Sequence, residues 1–410
     1  MLFNKNKKLS GENIMPIPKC SEDLTNLPPY VFIQVAKFKN NAIAKGKDII
    51  EFAQGNPDTP TPKHIVESVC DAVTNDPTTH RYPTFEGIKP LRDAIAGWYK
   101  RKYDVDIDPD TEVLPLIGSK EGLGHLYCTY VSDNDYIVSS NPSYPAHYFT
   151  VNMCPGKLHM LPINEENNFM MDLKAIPQEI ADKTKILILN YPNNPTGRTI
   201  DDGKIFDEAI NFAKDKNMMV LNDFAYSEIY FDDYYPPSIM QHPEAKKYCL
   251  EYNSLSKSYN MAGWRIGWVV GNAEIIGNLK KYKSFIDYGI SGFIQKAAVT
   301  ALTGDQKCVE DMRKIYQGRR DAMYKAFKAA GWELEKPRAT LYFWAKLPEK
   351  CKHMKSIEFV EKLIMEEGVV FSPGSGFGPH GEGYVRIALV ESEEKIKEAG
   401  KRLERFLSKM

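Results

Sequence analysis

The chain of 410 residues predicts an α/β fold in two domains, a larger one on a mainly parallel seven-stranded sheet and a smaller α+β one. Three observations predict it. Between Glu112 and Gly271 seven short runs are mostly apolar on both faces, as strands of a parallel sheet covered by helices must be. The stretch IFDEAINFAKDKN from Ile205 has the helical period and lies between two of these runs. Past about residue 290 the pattern changes to long helices, the strands TLYFWAKL, VVFSPG and YVRIALV, and a closing amphipathic helix, ESEEKIKEAGKRLERFL. A chain of this length exceeds one ordinary core.

In order, residues 1–23 are polar and expected to fray, and MLFNKNKKLSGEN lacks the apolar run of a signal peptide. Residues 24–55 are expected to join the small domain: a helix with Val31, Val35 and Phe38 on one face, then the strand DIIEFAQG, which ends at Gly55. The large domain is expected over 56–290. It opens on HRYPTFEGIKPLRDAIAGWYKRKY, a turn with Tyr82 and a helix with Leu91, Ile95 and Trp98 inward. EVLPLIG is its first strand and SKEGLGHLYCTYV, from Ser119, the helix behind it. DYIVSS, KLHMLPI, KILILNY, MMVLNDF, CLEYNSLS and RIGWVVG, the last from Arg265, complete the seven. A helix from Ala273 to about Phe285 follows, then one from about Ile294 to Ala330 in a small domain spanning 291–410.

A formal net charge of −1 gives no field for nucleic acid or an anionic membrane, so small-molecule chemistry is expected. Seven scattered cysteines with no CxxC pair suit a reducing cytoplasm. Eight histidines show no metal-ligand spacing, and no apolar run is long enough to span a bilayer. A soluble, cytoplasmic protein without a metal is the expectation.

The chemistry concentrates in SLSKSYNMAGWRIGW, Ser254 to Trp268. A lysine between serines is commonly a solvated loop, but here apolar runs flank it. Lys257 is the candidate amine for an aldehyde cofactor that carries a phosphate, with Ser254, Ser256 and Arg265 as donors to the phosphate oxygens. Ser119 and Lys120, at a helix start, add amides and a cation to the same anion site. Tyr144, in NPSYP, offers a flat ring to stack on a cofactor, although a packed turn tyrosine fits equally. Asp223 ends an apolar strand, where a carboxylate is costly unless it faces a cation such as a pyridinium N–H; a helix N-cap is the alternative. Tyr226 follows three residues on as a candidate hydroxyl donor, and two prolines and a glycine hold Asn194 on a rigid turn in NNPTG. Arg386 alternates with Val385 and Ile387 and so points to one face of its strand.

These motifs, in this order, resemble the class I and II aminotransferases, fold type I pyridoxal-phosphate enzymes, from about Leu27 to about Phe406. Within the family the lysine motif is similar to those of alanine:glutamate and LL-diaminopimelate transaminases. The resemblance implies pyridoxal 5′-phosphate on Lys257 as a Schiff base, with Lys257 also moving the substrate's α proton. It implies that Asn194 bonds the cofactor's phenolic oxygen and often the substrate carboxylate, and that Gly55 and Arg386 bind that carboxylate. Tyr82 would reach the phosphate of the neighbouring subunit, which requires a homodimer, and Tyr30 or Phe32 would shape specificity. The implied reaction is a ping-pong amino transfer between an L-amino acid, alanine foremost, and 2-oxoglutarate. LL-diaminopimelate is the main rival substrate; aspartate is disfavoured because KSFIDYGISGFIQK, from Lys283, contains no arginine. A carbon–sulfur lyase shares the lysine and aspartate. A non-catalytic cofactor-binding regulator would need a DNA-binding domain that the stretch before Leu24 is too short to hold.

Overall fold

The computed structural model describes residues 20, 25, 31–151 and 154–410. Apart from Cys20, the stretch 1–23 lies outside them, and so does Tyr30. Helix α1 (Val31–Ala44) buries Val35 and Ala42 and leads into strand β1 (Ile50–Glu51). Helices α2 (Lys63–Asn75) and α3 (Lys89–Tyr103) follow; α3 has proline in its first turn and buries Leu91, Ile95 and Trp98, as their spacing requires.

The large sheet holds β2 (Val113–Leu116), β3 (Tyr136–Asn141), β4 (Lys157–Pro162), β5 (Thr184–Leu189), β6 (Met219–Asp223), β7 (Cys249–Ser254) and β8 (Gly267–Gly271). Their spatial order is β2-β8-β7-β6-β5-β3-β4. Strands β3 to β7 pair in parallel, whereas β8 runs antiparallel to both neighbours. All seven predicted strands are present. The last begins at Gly267 and not at Arg265, because Arg265 takes a left-handed conformation (φ 55°) and turns the chain before the strand can start.

Helices α4 (Ser119–Tyr130), α5 (Lys204–Lys216) and α6 (Ala273–Ile286) accompany this sheet. The single helix expected from Ile294 to Ala330 is two, α7 (Gly292–Thr303) and α8 (Lys307–Ala329). Between them the Gln306 amide donates to the carbonyls of Ala301 (3.0 Å) and Gly304 (2.8 Å), which closes the end of α7. Helix α7 packs on α2 and α3 and buries Ala298, Ala301 and Leu302 in the core of the large sheet. The expected boundary at 290 thus precedes a helix that belongs to that core, and α8 makes the crossing.

The smaller unit adds β9 (Tyr342–Lys346), α9 (Ser356–Glu367), β10 (Val369–Val370), β11 (Ser372–Pro373), β12 (Tyr384–Ala388) and α10 (Glu393–Ser408). Strands β11, β12 and β9 form an antiparallel sheet, and α8 lies along α10. Ile50 of β1 pairs in parallel with Val369 of β10, and Val35, Ile50 and Phe52 share a core with Leu363, Val370 and Ile387. The N-terminal segment is therefore built into this unit. No helix among the described residues is long and apolar enough to cross a membrane.

Candidate active site

Where β6 and β7 end, the start of α4 and the inner faces of β9 and β12 enclose a cavity of about 260 Å³. Gly55, Ser119, Lys120, Tyr144, Asn194, Asp223, Tyr226, Ser254, Ser256, Lys257, Arg265 and Arg386 all line it. They come from both units, so the cavity exists only because the two are joined.

Ser254 closes β7, and its hydroxyl accepts the Ser256 N–H (3.1 Å), capping the single turn Leu255–Ser258 that carries Lys257. The Lys257 amine donates to the Gly55 carbonyl at 2.6 Å. Gly55 admits no side chain: a Cβ there would lie 1.9 Å from the Tyr342 hydroxyl oxygen. Burial lowers the Lys257 pKa, and the charges of Arg386 and Arg265 add to this against the opposing pull of Tyr342. An amine with more of its neutral form is a better nucleophile and base.

A second group of donors surrounds the start of α4. Gly118 precedes the helix at φ 75° with no side chain capping the first turn, which leaves amides to be satisfied. The Arg265 guanidinium passes so close that a Cβ on Gly118 would lie 2.4 Å from Nη2, and Arg265 is held by the Ala262 carbonyl at 2.8 Å. Helix amides, the hydroxyls of Ser119, Ser254 and Ser256, Lys120 and Arg265 together suit a dianion such as a phosphate group.

On the sheet side, Asp223 is buried and its Oδ2 accepts from Nε2 of fully buried His147 at 2.9 Å. A carboxylate only accepts, so the Nε2 proton goes to Asp223, and Nδ1 on the far side of the ring lies 2.9 Å from the Ser143 hydroxyl. Asp223 Oδ1 takes the Ala225 N–H at 3.2 Å, a local turn bond with no helix after it, so the N-cap alternative is not realised. Asn190 ties the backbone together: it donates to the Asp223 carbonyl (2.7 Å) and accepts the Asn194 N–H (2.9 Å). The Tyr144 ring stands edge-on to His147, centroids 5.5 Å apart.

Opposite, Arg386 of β12 donates to Asn194 Oδ1 (2.9 Å) and the Ala53 carbonyl (3.0 Å). Its guanidinium lies between the rings of Tyr342 (4.0 Å) and Phe377 (4.5 Å), and its Nε is buried without a partner. A buried orphan donor on a fixed guanidinium calls for an acceptor, and a carboxylate fits the fork. The Tyr226 hydroxyl lies 2.9 Å from that of Tyr342.

Tyr82 stands apart from the cavity of its own chain. It is 89% exposed and beside Tyr288 (centroids 5.5 Å apart), which follows the exposed Phe285 and Ile286 in sequence. His147, Tyr342 and Phe377 were not singled out by sequence reasoning. The usable signal for His147 was its position three residues after Tyr144, on the same turn. Outside the cavity, Glu121, His125 and Asp287 are close enough to share a cation, but the Lys283 ammonium already bridges Glu121 (2.8 Å) and Asp287 (2.9 Å).

The model of the family described as aminotransferase class I and II matches residues 47–403. The chain is 45% identical over 383 residues to an LL-diaminopimelate aminotransferase of Halothermothrix orenii, covering 93% of this chain and 97% of that one. It is 44% identical over 376 residues to the glutamate-pyruvate aminotransferase AlaC of Escherichia coli, covering 92% and 91%. The substrate-bound BacF structure from Bacillus subtilis superposes with a TM-score of 0.90 at 36% identity, over 95% of this chain and 98% of that one.

Proposed function

The chain belongs to the aminotransferase class I and II family and is a pyridoxal-phosphate-dependent aminotransferase, and from that premise we propose that it moves the amino group of L-alanine to 2-oxoglutarate. The observation that carries the substrate reading is the mouth of the cavity. It is bordered by Phe32, Gln54, Asn56, Tyr144, Pro145 and Phe377, and among the described residues around it only Lys257 and Arg386 are charged. A substrate with one carboxylate and a small neutral side chain meets such a lining without an unpaired charge.

The donor set described above fits the cofactor: an anion cradle, an amine, and a buried carboxylate for a ring cation. Lys257 is the residue that would hold it covalently. Ser119, Lys120, Ser254, Ser256 and Arg265 would bind its phosphate, Asn194 and Tyr226 its phenolic oxygen, Tyr144 the face of its ring and Asp223 its ring N–H. When bound, the cofactor supplies an electron-withdrawing ring that takes up the electron pair left as the α proton departs. Arg386 would grip the substrate carboxylate and fix the α carbon, and the Lys257 amine would be the base that takes the α proton. His147 holds Asp223 in the orientation that keeps its charge toward the ring. We extend the proposal to a cytoplasmic homodimer in which Tyr82 completes the phosphate site of the partner; the exposed Phe285, Ile286 and Tyr288 support an apolar contact face there.

A second reading, LL-diaminopimelate as amino donor, is favoured by the relative named for that activity at 45% identity. Separate addition of alanine, glutamate, aspartate and LL-diaminopimelate to the holoenzyme, following the cofactor's visible absorption and the 2-oxo acid formed, tests both. Rapid change with alanine and glutamate is expected. Rapid change with LL-diaminopimelate but not alanine overturns the alanine reading, and pyruvate from cystathionine without an acceptor would point to lyase chemistry.

A further inference from the structure

We propose that Tyr342 is a positioning residue of this reaction, the second phenol of a two-phenol relay that donates to Tyr226 and so holds Tyr226's own proton on the cofactor's phenolic oxygen. The proposal rests on the cofactor reading above. Tyr342 sits mid-strand in β9 with 2% of its surface exposed, and three contacts define its hydroxyl. It is 2.9 Å from the Tyr226 hydroxyl, pressed against Gly55, and on a ring that supports the Arg386 guanidinium at 4.0 Å.

A phenol has one proton, so within the pair one member donates and the other accepts. Either hydroxyl can donate; with Tyr342 the member whose proton is held less tightly, Tyr226 is the donor and Tyr342 the acceptor. Burial alone would raise the Tyr342 pKa, but Arg386, then Lys257 and the bond from Tyr226, outweigh it and hold that phenol below its usual range. Burial and the neighbouring Tyr342 drive Tyr226 the other way, well above. Tyr144 also bears on Tyr226, Arg265 on Lys257, and Tyr316 lies within electrostatic reach of Tyr342. An anionic phenolic oxygen placed beside Tyr226 is a stronger acceptor than a neutral phenol, and its arrival reverses the order. Tyr226 then donates to the anion, and Tyr342 donates to Tyr226. Chained donors of this kind strengthen one another.

Ring packing under Arg386 is the competing role, and Tyr342→Phe separates the two because it keeps the ring and removes only the hydroxyl. The readout is the pH midpoint of the visible absorption of the Lys257-linked cofactor. A donor on the phenolic oxygen withdraws negative charge and eases proton loss from the adjacent nitrogen, so losing the donor raises the midpoint. Tyr226→Phe is expected to raise it by about one pH unit and Tyr342→Phe by roughly half a unit. The double variant should match Tyr226→Phe alone, since the relay has a single exit. Tyr342→Phe should lower kcat several-fold with KM for the amino acid unchanged, whereas Tyr342→Leu, which removes the ring as well, should also raise KM. An unmoved midpoint in Tyr342→Phe beside a shifted one in Tyr226→Phe overturns the relay and leaves the cofactor reading intact. Additive shifts in the double variant overturn it too. A wild-type protein that forms no absorbing Lys257-linked cofactor overturns both.

Discussion

The two walls of the cavity are finished to different degrees. On the sheet wall every polar group named has its partner inside the chain: Asp223 with His147, His147 with Ser143, Asn190 with two backbone groups. The wall brought by β9 and β12 holds one cation, Arg386, between two aromatic rings, and leaves its Nε buried without a partner. A satisfied network is rigid; an orphaned donor is a standing demand for a ligand. The first wall therefore suits the group that stays through the cycle, the second the substrate that comes and goes.

Substitutions can break or sharpen this contrast. The largest effect falls on the group between the walls: Lys257→Ala should lower turnover by ~10⁴-fold or more, with the fold and phosphate binding retained. Full turnover in that variant would remove Lys257 from its role. On the substrate wall, Arg386→Ala should raise KM about 10²-fold for amino and oxo acids of every side chain alike, without loosening the cofactor. If the cofactor dissociates as well, the two walls are not separate. On the sheet wall, His147→Leu removes one bond to a carboxylate and should weaken cofactor retention about tenfold, measured by dialysis and spectral titration, with KM little changed.

A smaller effect concerns the lysine without its cofactor. Because burial lowers the Lys257 pKa, the folded protein disfavours the ammonium relative to the unfolded chain. Where both states are protonated the penalty is constant; it declines as pH rises from the lowered folded value toward the ordinary lysine range, and above that it vanishes. Lys257→Met in the cofactor-free protein should thus raise Tm by about a degree or two at neutral pH and by less at high pH. A gain that grows with pH would contradict the assigned cause.

The large sheet was legible because each strand is a local apolar run, and Asp223, Asn194 and Tyr144 follow such runs at the edge where ligands gather. Lys257 was legible from its own neighbours. What escaped depends on pairing over distance: His147 meets Asp223 across 76 positions, and Tyr342 meets Tyr226 across 116. Period-two alternation says that Tyr342 shares a face with Trp344, and no local pattern says which tyrosine that face will meet. The break between α7 and α8 is different in kind, being local: Gly304 caps α7 and the Gln306 amide closes its end, so the polar run from Gly304 to Lys307 was a readable signal that the helical period on either side overrode.

Ser254 and Gly267 are paired across two antiparallel strands, so the loop between them is shut at its base like a clasp. Lys257 and Arg265 both hang from that clasp. The distance from amine to phosphate donor is then set by the length of one short piece of chain and not by how the two domains sit. Domain movement leaves that span alone, whereas a single inserted or deleted residue in the loop changes it at once. In this loop a change of length disturbs the site even where every functional side chain is kept.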